Sequence, residues 1–464
     1  MIRAFFFLLL LLLLSPLLAV QAAQTAPSAA ACVIRHQQQL LLVQDRISGR
    51  YSLSGGYIDA GETPEQAALR ELFEETGLHG RITADLGRWQ RAQLFACQTQ
   101  DPIQAQIGTG FVSILQAPNL GGEIQNARQI EPARLPDNQR RFPAQLDWLG
   151  PRLAEVPESP VQWQADFSAT DAGASSALHR AELPLIQRLQ GWLGPHARWP
   201  LAGNLLGSAP VQLGLALLLL PLLGWPRFYR LLFAMVLLTL LVQLLKEGIG
   251  WPRPFHLDPA LAQRSAQGFG MPSGHTASTL LFWGLLLGWL PGLRAWQGIL
   301  LALLLAALAG LARVWLGVHF ISDVVVGLGL GALLLTLRSP LCTLANSRLA
   351  WWGLILASLL GAGFTQSSAL GALAMFTLGL VSGTLFPLER HPVPAIRCAL
   401  LALAVSLGIG GLLLALPLLT SSSLLILAGQ GLLVGSLGLW LSAGLWWSLD
   451  LINPGSAHRG PTPR

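Results

Sequence analysis

Charge is scarce in this sequence. Only 11% of its 464 residues are Asp, Glu, Lys or Arg, while 52% are hydrophobic. That balance excludes a disordered chain, which needs high charge and low hydrophobicity. Cysteine is scarcer still: four are too few for a disulfide framework. Cys32 and Cys97 nevertheless fall in one segment and are able to pair. A basic block is missing too. The formal net charge is +6, but the basic residues stand singly in short loops. This argues against a nucleic-acid surface and matches the positive-inside pattern of a membrane protein. No charged residue lies between Arg348 and Glu389, or between Arg397 and Asp450. Spans that do chemistry carry polar or ionisable groups, so residues 350–446 are expected to serve packing or oligomerisation.

What is abundant is leucine in long runs. From about Leu201 to Trp447 the chain is a series of apolar stretches of 17–25 residues, the length needed to cross a bilayer core as helix. Nine spans are expected, at about 203–224, 228–245, 276–291, 298–317, 321–337, 350–366, 369–387, 398–419 and 424–446. Residues 1–23 carry Arg3, a leucine core and small residues at Val20 and Ala22, and read as a secretory signal peptide. An uncleaved first span is the alternative. Either way, the segment that follows is exported. Alternate loops then hold Arg227, Arg230, Arg294, Arg338, Arg348, Arg390 and Arg397 inside, with Arg459 and Arg464 in a cytoplasmic tail, 447–464. The outer loops hold only Lys246, Arg253, Arg264 and Arg313. This asymmetry places the C-terminus in the cytoplasm.

Residues 31–43 alternate around "RHQQQ" like a pair of strands. Strand-like runs follow at Arg81–Trp89, Ala92–Gln98 and Gly110–Gln116, with one helical pattern at Pro64–Thr76. The pattern predicts an α+β domain ending near Gly150. Residues 151–175 read as a linker, and Ser176–Leu193 as an amphipathic helix lying on the membrane surface.

The helix at Pro64–Thr76 carries the first chemistry. Thr63, Pro64 and Gln66 supply a capping box, and Gly77 can end the helix. Leu69, Leu72 and Phe73 share one face. Glu71, Glu74 and Glu75 share the other, within roughly 100° of arc. Carboxylates so close repel one another, and a hard divalent cation offsets that. Glu62, just before the helix, is a fourth candidate oxygen ligand, Arg70 lies one turn from Glu74, and Gly56 lets the backbone approach a phosphate. Glu123 stands outside this stretch as a further ligand or base, or as an ordinary surface Glu.

The spacing from Gly56 through Glu62, Arg70, Glu71, Leu72, Glu74, Glu75 and Gly77 to Leu78 matches the Nudix box at all nine positions. Residues 29–150 therefore resemble a Nudix hydrolase domain. The resemblance implies an α/β/α sandwich and Mg²⁺- or Mn²⁺-dependent attack of water on a diphosphate. It also implies Glu71, Glu74, Glu75 and Glu62 as metal ligands, with Arg70 and Gly56 supporting. Ser54 stands where many members have Pro.

A second constellation lies at span ends. Lys246 and Arg253 are followed by "GFGMPSGHTAS", which sets Ser273, Gly274 and His275 at a helix N-terminus, a favoured anion site. Arg313 ends the fourth span. His319 and Asp323 then sit four residues apart, a spacing at which the carboxylate fixes the imidazole tautomer. Cations and histidines converging on one membrane face suit a phosphoryl group. "KEGIGWPRP", "PSGH" and "ARVWLGVHFISD" resemble the three motifs of the type 2 phosphatidic acid phosphatase (PAP2) family, over about residues 176–338. The resemblance implies a PAP2-like helical core and phosphate binding by Lys246, Arg253, Ser273, Gly274 and Arg313. It implies His319 as nucleophile, Asp323 as its orienter, His275 as general acid, and no metal. Ala312 replaces a common Ser.

Together these readings predict a multi-pass inner-membrane enzyme acting on lipid phosphates or diphosphates, such as undecaprenyl diphosphate, phosphatidylglycerophosphate or phosphatidic acid. Both centres are expected in the periplasm. A lipid transporter or sensor with a ligand-binding, non-catalytic Nudix domain is the alternative.

Overall fold

The structure is a computed structural model that describes residues 26–168, 176–194, 198–385 and 395–452. The leader at 1–23, residues 169–175 of the expected linker and the end of the tail lie outside the described residues.

The segment before the apolar helices builds two sheets. Strands β1 (Ala29–Val33), β2 (Arg35–His36), β3 (Gln39–Asp45), β4 (Tyr51–Ser52) and β5 (Ser54–Tyr57) precede helix α1 (Pro64–Thr76). Then come β6 (Gly80–Trp89), β7 (Ala92–Thr99), β8 (Ile103–Gln106), β9 (Phe111–Val112), β10 (Ile124–Ile130), the short helix α2 (Pro143–Leu149) and β11 (Val161–Gln164). One sheet runs β5-β1-β7-β6, the other β11-β8-β9-β10-β3-β2. β1 is small along its length, Ala-Ala-Ala-Cys-Val. Small side chains let α1 lie close, with Ala67 and Ala68 wholly buried against it. Cys32 and Cys97, on the parallel neighbours β1 and β7, form a disulfide with a Cα–Cα distance of 5.5 Å.

Helix α1 has the expected bounds. Thr63 and Gln66 close the capping box, and Gly77 caps the far end in the left-handed region. The linker expectation differs from the structure. Residues 151–164 fold onto the sheet domain: β11 pairs in parallel with β8, and the backbone N–H of Ser159 donates to Arg35 at 2.8 Å. β8 would otherwise be an edge with unpaired backbone groups, and a strand from beyond Gly150 covers it.

Helices then take over. α3 (Ala177–Leu193) buries His179, Glu182, Leu183 and Ile186. Its apolar stripe packs with Leu257, Phe320 and Val324 of the following helical region. The bundle comprises α4 (Trp199–Leu206), α5 (Ala209–Leu218), α6 (Leu220–Ile249), α7 (Gly274–Trp289), α8 (Ala295–Trp315), α9 (Ile321–Thr336), α10 (Arg338–Leu344), α11 (Arg348–Thr365), α12 (Ser368–Gly383), α13 (Ala395–Leu419), α14 (Ser423–Leu439) and α15 (Leu445–Ile452). A π-helical turn, Trp440–Gly444, joins the last two.

Among the described residues, five helices are long and apolar enough to cross a membrane, or seven if each bent pair is one span. The chain reads as a multi-pass membrane protein. Helix covers most of each of the nine expected positions among the described residues, but fewer than nine qualify as spans, α6 already begins at Leu220 inside the first, and two positions are bent. The first span is broken, α4 and α5 meeting at 67°, and α9 bends by 67° into α10. Gly207-Ser208 supplies the first break, and the second falls at Leu337.

The sheet domain sits against one end of this bundle. Gln106 Nε2 donates to Asp258 at 2.9 Å, and Gln267 Nε2 to the Arg46 carbonyl at 2.9 Å. The late helices touch it as well. Arg46 donates to Ser368 Oγ at 3.1 Å, Arg50 to the Pro417 carbonyl at 3.0 Å, and Arg141 to Ser423 Oγ at 2.8 Å.

Candidate active sites

In the sheet domain, α1 turns its carboxylates inward. Glu71 and Glu75 are buried beside Ala67, Ala68 and Leu72, while Leu69 and Phe73 are only half-buried. The face expected to be apolar is thus partly outside and two of the acids are inside. Local hydrogen bonds make this tolerable. Ser54 Oγ donates to Glu75 at 2.6 Å and the Gly55 N–H at 3.1 Å. Ser54, the departure from the usual proline, is therefore a direct partner of a box glutamate. A Cβ at Gly56 would overlap the Glu71 carboxylate, so only glycine allows that acid to lie against the strand.

Arg70 gathers three acids. Nε and Nη2 reach Glu62 at 2.9 and 3.2 Å, and Nη1 reaches Glu71 at 2.9 Å and Glu74 at 3.0 Å. Its Nη2 also donates to the Tyr57 carbonyl at 3.0 Å. Consequently Glu62 and Glu74 face a guanidinium. Among the described residues, a three-carboxylate cluster is formed by Glu71, which Arg70 also reaches, with Glu75 and Glu123, their oxygens within 4.8 Å of one another. The sequence ranked Glu123 behind Glu62 and Glu74 because no box position marks it. It enters from the loop before β10.

Burial pushes the Glu71 carboxyl up to about 7, with Glu123 and Glu74 adding to the rise against the opposing pull of Arg70. Burial likewise pushes Glu75 up to about 8, against the hydrogen bond from Ser54. Three oxygens with a shortage of positive charge fit a hard divalent cation.

In the helical region, the last turn of α6 carries Lys246, whose Nζ donates to the carbonyls of Phe269 at 2.5 Å and Gly270 at 3.2 Å. Arg253 is buried and fully engaged. It donates to the carbonyls of Gly268, Val318 and Gln267 at 2.7 Å each, and its Nη1 lies 3.3 Å from His319 Nε2. Ser273 stands at the N-cap of α7, followed by Gly274 and His275. Its hydroxyl makes no cap and instead pairs with Thr276 Oγ1 at 2.9 Å.

His319 Nδ1 lies 3.1 Å from Asp323 Oδ2, which also accepts the Phe320 N–H at 2.9 Å. Burial holds the imidazole pKa well below the usual histidine range, with Arg253, Arg313 and Lys246 acting the same way. A neutral ring with Nδ1–H on the carboxylate leaves Nε2 its lone pair. The arrangement brings one nucleophile-competent nitrogen, three cations and a helix N-terminus to one place.

Three partners here were not legible. Asn204 Oδ1 accepts from Arg313 Nη1 at 2.8 Å. Glu182 of α3 accepts the Ser322 N–H through both oxygens at 3.2 Å, and His179 stacks on Phe320 with centroids 4.5 Å apart. Each comes from an element outside the motifs, and no spacing rule marks it. A loop of the sheet domain approaches a loop of the helical region. A Cβ on Gly121, two residues before Glu123, would lie 3.5 Å from Gly268 and Phe269. That is the loop whose carbonyls hold Lys246 and Arg253.

Comparisons with known proteins agree with this division. The NUDIX domain family model matches residues 24–148, and the PAP2 superfamily model residues 227–346. A putative 8-oxo-dGTP diphosphatase of Bacillus subtilis (strain 168) is 35% identical over 86 residues, 18% of this chain and 53% of that protein. Lipid phosphate phosphatase delta of Arabidopsis thaliana is 38% identical over 80 residues, 16% of this chain and 19% of that protein. The crystal structure of a NUDIX hydrolase from Nitrosomonas europaea aligns at 19% identity with a TM-score of 0.22, covering 31% of this chain and 81% of that one. The chain thus spans about half the length of the first of these curated relatives and less of the second.

Proposed function

From a chain that carries a NUDIX domain and a PAP2 superfamily domain in series, we propose a membrane phosphatase acting on lipid phosphates or diphosphates, joined to a metal-dependent diphosphate hydrolase. The observation that carries the first half is the His319–Asp323 pair, with Nε2 left 3.3 Å from Arg253.

In this reading Nε2 of His319 attacks phosphorus. Asp323 accepts from Nδ1 and stabilises the ring as it becomes positive. Lys246, Arg253, Arg313, Ser273 and the free N–H groups from Gly274 onward bind the phosphoryl oxygens. His275 gives a proton to the leaving oxygen and then takes one from water, which cleaves the P–Nε2 bond, frees inorganic phosphate and restores His319. Lys246 and Arg253 exchange the loop carbonyls at 267–270 for phosphate oxygens. A carbonyl carries no net charge, so the anion gains from that exchange.

In the sheet domain Glu71, Glu75 and Glu123 would hold a divalent cation, which supplies Lewis-acid activation of water and diphosphate when bound. Arg70 orients Glu71, Glu74 and Glu62. The Cys32–Cys97 disulfide supports an oxidising compartment. With the arginine bias of the loops, it favours the periplasmic side of an inner membrane for both centres. The backbone approach of Gly121 to Gly268 favours use of the two centres on one substrate. The sheet domain would cleave a diphosphate and the bundle would dephosphorylate the product.

The test is phosphate release by the full-length protein from a lipid diphosphate and a lipid monophosphate, with and without EDTA. EDTA-insensitive release that is lost in H319A, together with EDTA-sensitive diphosphate cleavage lost in E75Q, is expected. Release that survives H319A overturns the assignment.

A further inference from the structure

At the end of the bundle away from both centres, a cavity of ≈ 360 Å³ opens between α6 and the late helices. Its size falls in the range of small-ligand sites. Arg230 of α6 and Arg348 at the start of α11 line it, with Asn346, Thr384 and Ser442 beside them. Among the described residues that line it there is no carboxylate. Nε of Arg230 is buried without a hydrogen-bond partner among the described residues. Two arginines border one concavity, and a buried N–H without an acceptor is costly. An anion with several acceptor oxygens answers both.

The walls point to what else the anion carries. Pro226, Leu380, Val381 and Trp351 supply apolar surface at the level where the helices end. Ser442 belongs to the π-helical turn, a local irregularity that recurs at functional sites. Basic pockets between membrane helices are suited to anionic headgroups. Sixteen residues separate Arg230 from Lys246 along α6, about 24 Å at the rise of an α-helix. The cavity is therefore distinct from the histidine centre.

We propose that this cavity binds a phosphate group through Arg230 and Arg348, the phosphate of an anionic lipid headgroup or a free phosphate. The late helices, which carry no Asp, Glu, Lys or Arg between Arg348 and Glu389 or between Arg397 and Asp450, thereby complete a binding site with α6. The proposal rests on the reading of these helices as membrane spans and on neither hydrolytic activity.

Thermal unfolding of the full-length protein in neutral detergent tests it. The probes are short-chain phosphatidylglycerol, short-chain phosphatidylcholine and inorganic phosphate. Phosphatidylglycerol is expected to raise Tm saturably, and phosphatidylcholine is not. The R230Q/R348Q variant should need about tenfold more phosphatidylglycerol for the same shift, since each charge-assisted bond lost weakens binding. R294Q, a loop arginine outside the cavity, should respond like the parent. T384W fills the cavity with both cations intact and should lose the response, which keeps the test decisive if the double variant does not fold. Inorganic phosphate reproducing the full shift, with the same arginine dependence, would support the site with free phosphate as its source. An undiminished response in the double variant and in T384W, or equal stabilisation by phosphatidylcholine, overturns the proposal.

Discussion

The two centres are opposites in charge. The sheet domain gathers Glu71, Glu75 and Glu123, acids whose mutual repulsion only Arg70 and a few hydrogen bonds relieve. The helical bundle gathers Lys246, Arg253 and Arg313, cations relieved by backbone carbonyls, Asn204 and one carboxylate. Neutral dipoles, which orient a charge without cancelling it, supply many of these partners. The acidic cluster thus suits a cation and the basic cluster an anion. A diphosphate ester with its metal presents both signs. The contrast explains how one chain carries an acidic and a basic cluster without their side chains neutralising each other. Arg70 and Asp323 are each committed within their own site.

The contrast is open to breakage, most strongly at the imidazole. H319A should lower EDTA-insensitive phosphate release by at least ~10³-fold, because the nucleophile itself is gone; metal-dependent cleavage by the same preparation should be unchanged. The reciprocal change is E75Q, expected to lower metal-dependent diphosphate cleavage by about 10²-fold while leaving monophosphate release intact. If either variant abolishes both activities in a folded protein, the centres are not independent units.

Partners of the charged groups sharpen the comparison at smaller scale. S54A should weaken metal dependence roughly tenfold, read as the cation concentration for half-maximal rate, since a partner that orients a ligand typically carries that much. N204A should raise KM for the lipid substrate by about tenfold through loss of one charge-assisted contact on Arg313. A uniform loss of Tm with no kinetic change would make either residue merely structural.

The smallest expected effect is on stability against pH. Glu71 and Glu75 keep their protons in the fold up to about 7 and about 8, whereas in an unfolded chain a glutamate loses its proton near 4.3. With pKa values raised in the folded state, stability is fully present below the unfolded value. It drains as pH rises through the folded one. In EDTA, Tm should therefore fall between pH 5 and pH 8. Mg²⁺ should reverse the fall, because it binds the ionised form. An equally steep fall in E71Q/E75Q, monitored by tryptophan fluorescence, would trace the slope to other groups.

Much of this molecule could be anticipated from local pattern. Helix α1 was legible to the residue because Thr63, Pro64, Gln66 and Gly77 each act within one turn of it. The spans were legible because a bilayer imposes length and apolarity on contiguous residues. Bends were not, since α4 and α5 turn at Gly207-Ser208 only where tertiary packing selects that use of an otherwise tolerated pair. The fold of residues 151–164 was hidden for a related reason. A Pro-rich stretch reads as a linker until a distant strand edge offers it a partner.

What the sequence alone determined is which chemical groups are present and which of them share a helix face or a span end: the box glutamates, the paired imidazole and carboxylate, the cations at the membrane boundary. Tertiary structure alone decided which of them meet. It brought Glu123 rather than Glu62 or Glu74 to Glu71 and Glu75, set Asn204 against Arg313, and laid the sheet domain on loops of both halves of the bundle. The reason is reach. Helical spacing fixes neighbours three or four residues apart, whereas contacts between distant segments exist only once the backbone has chosen its path.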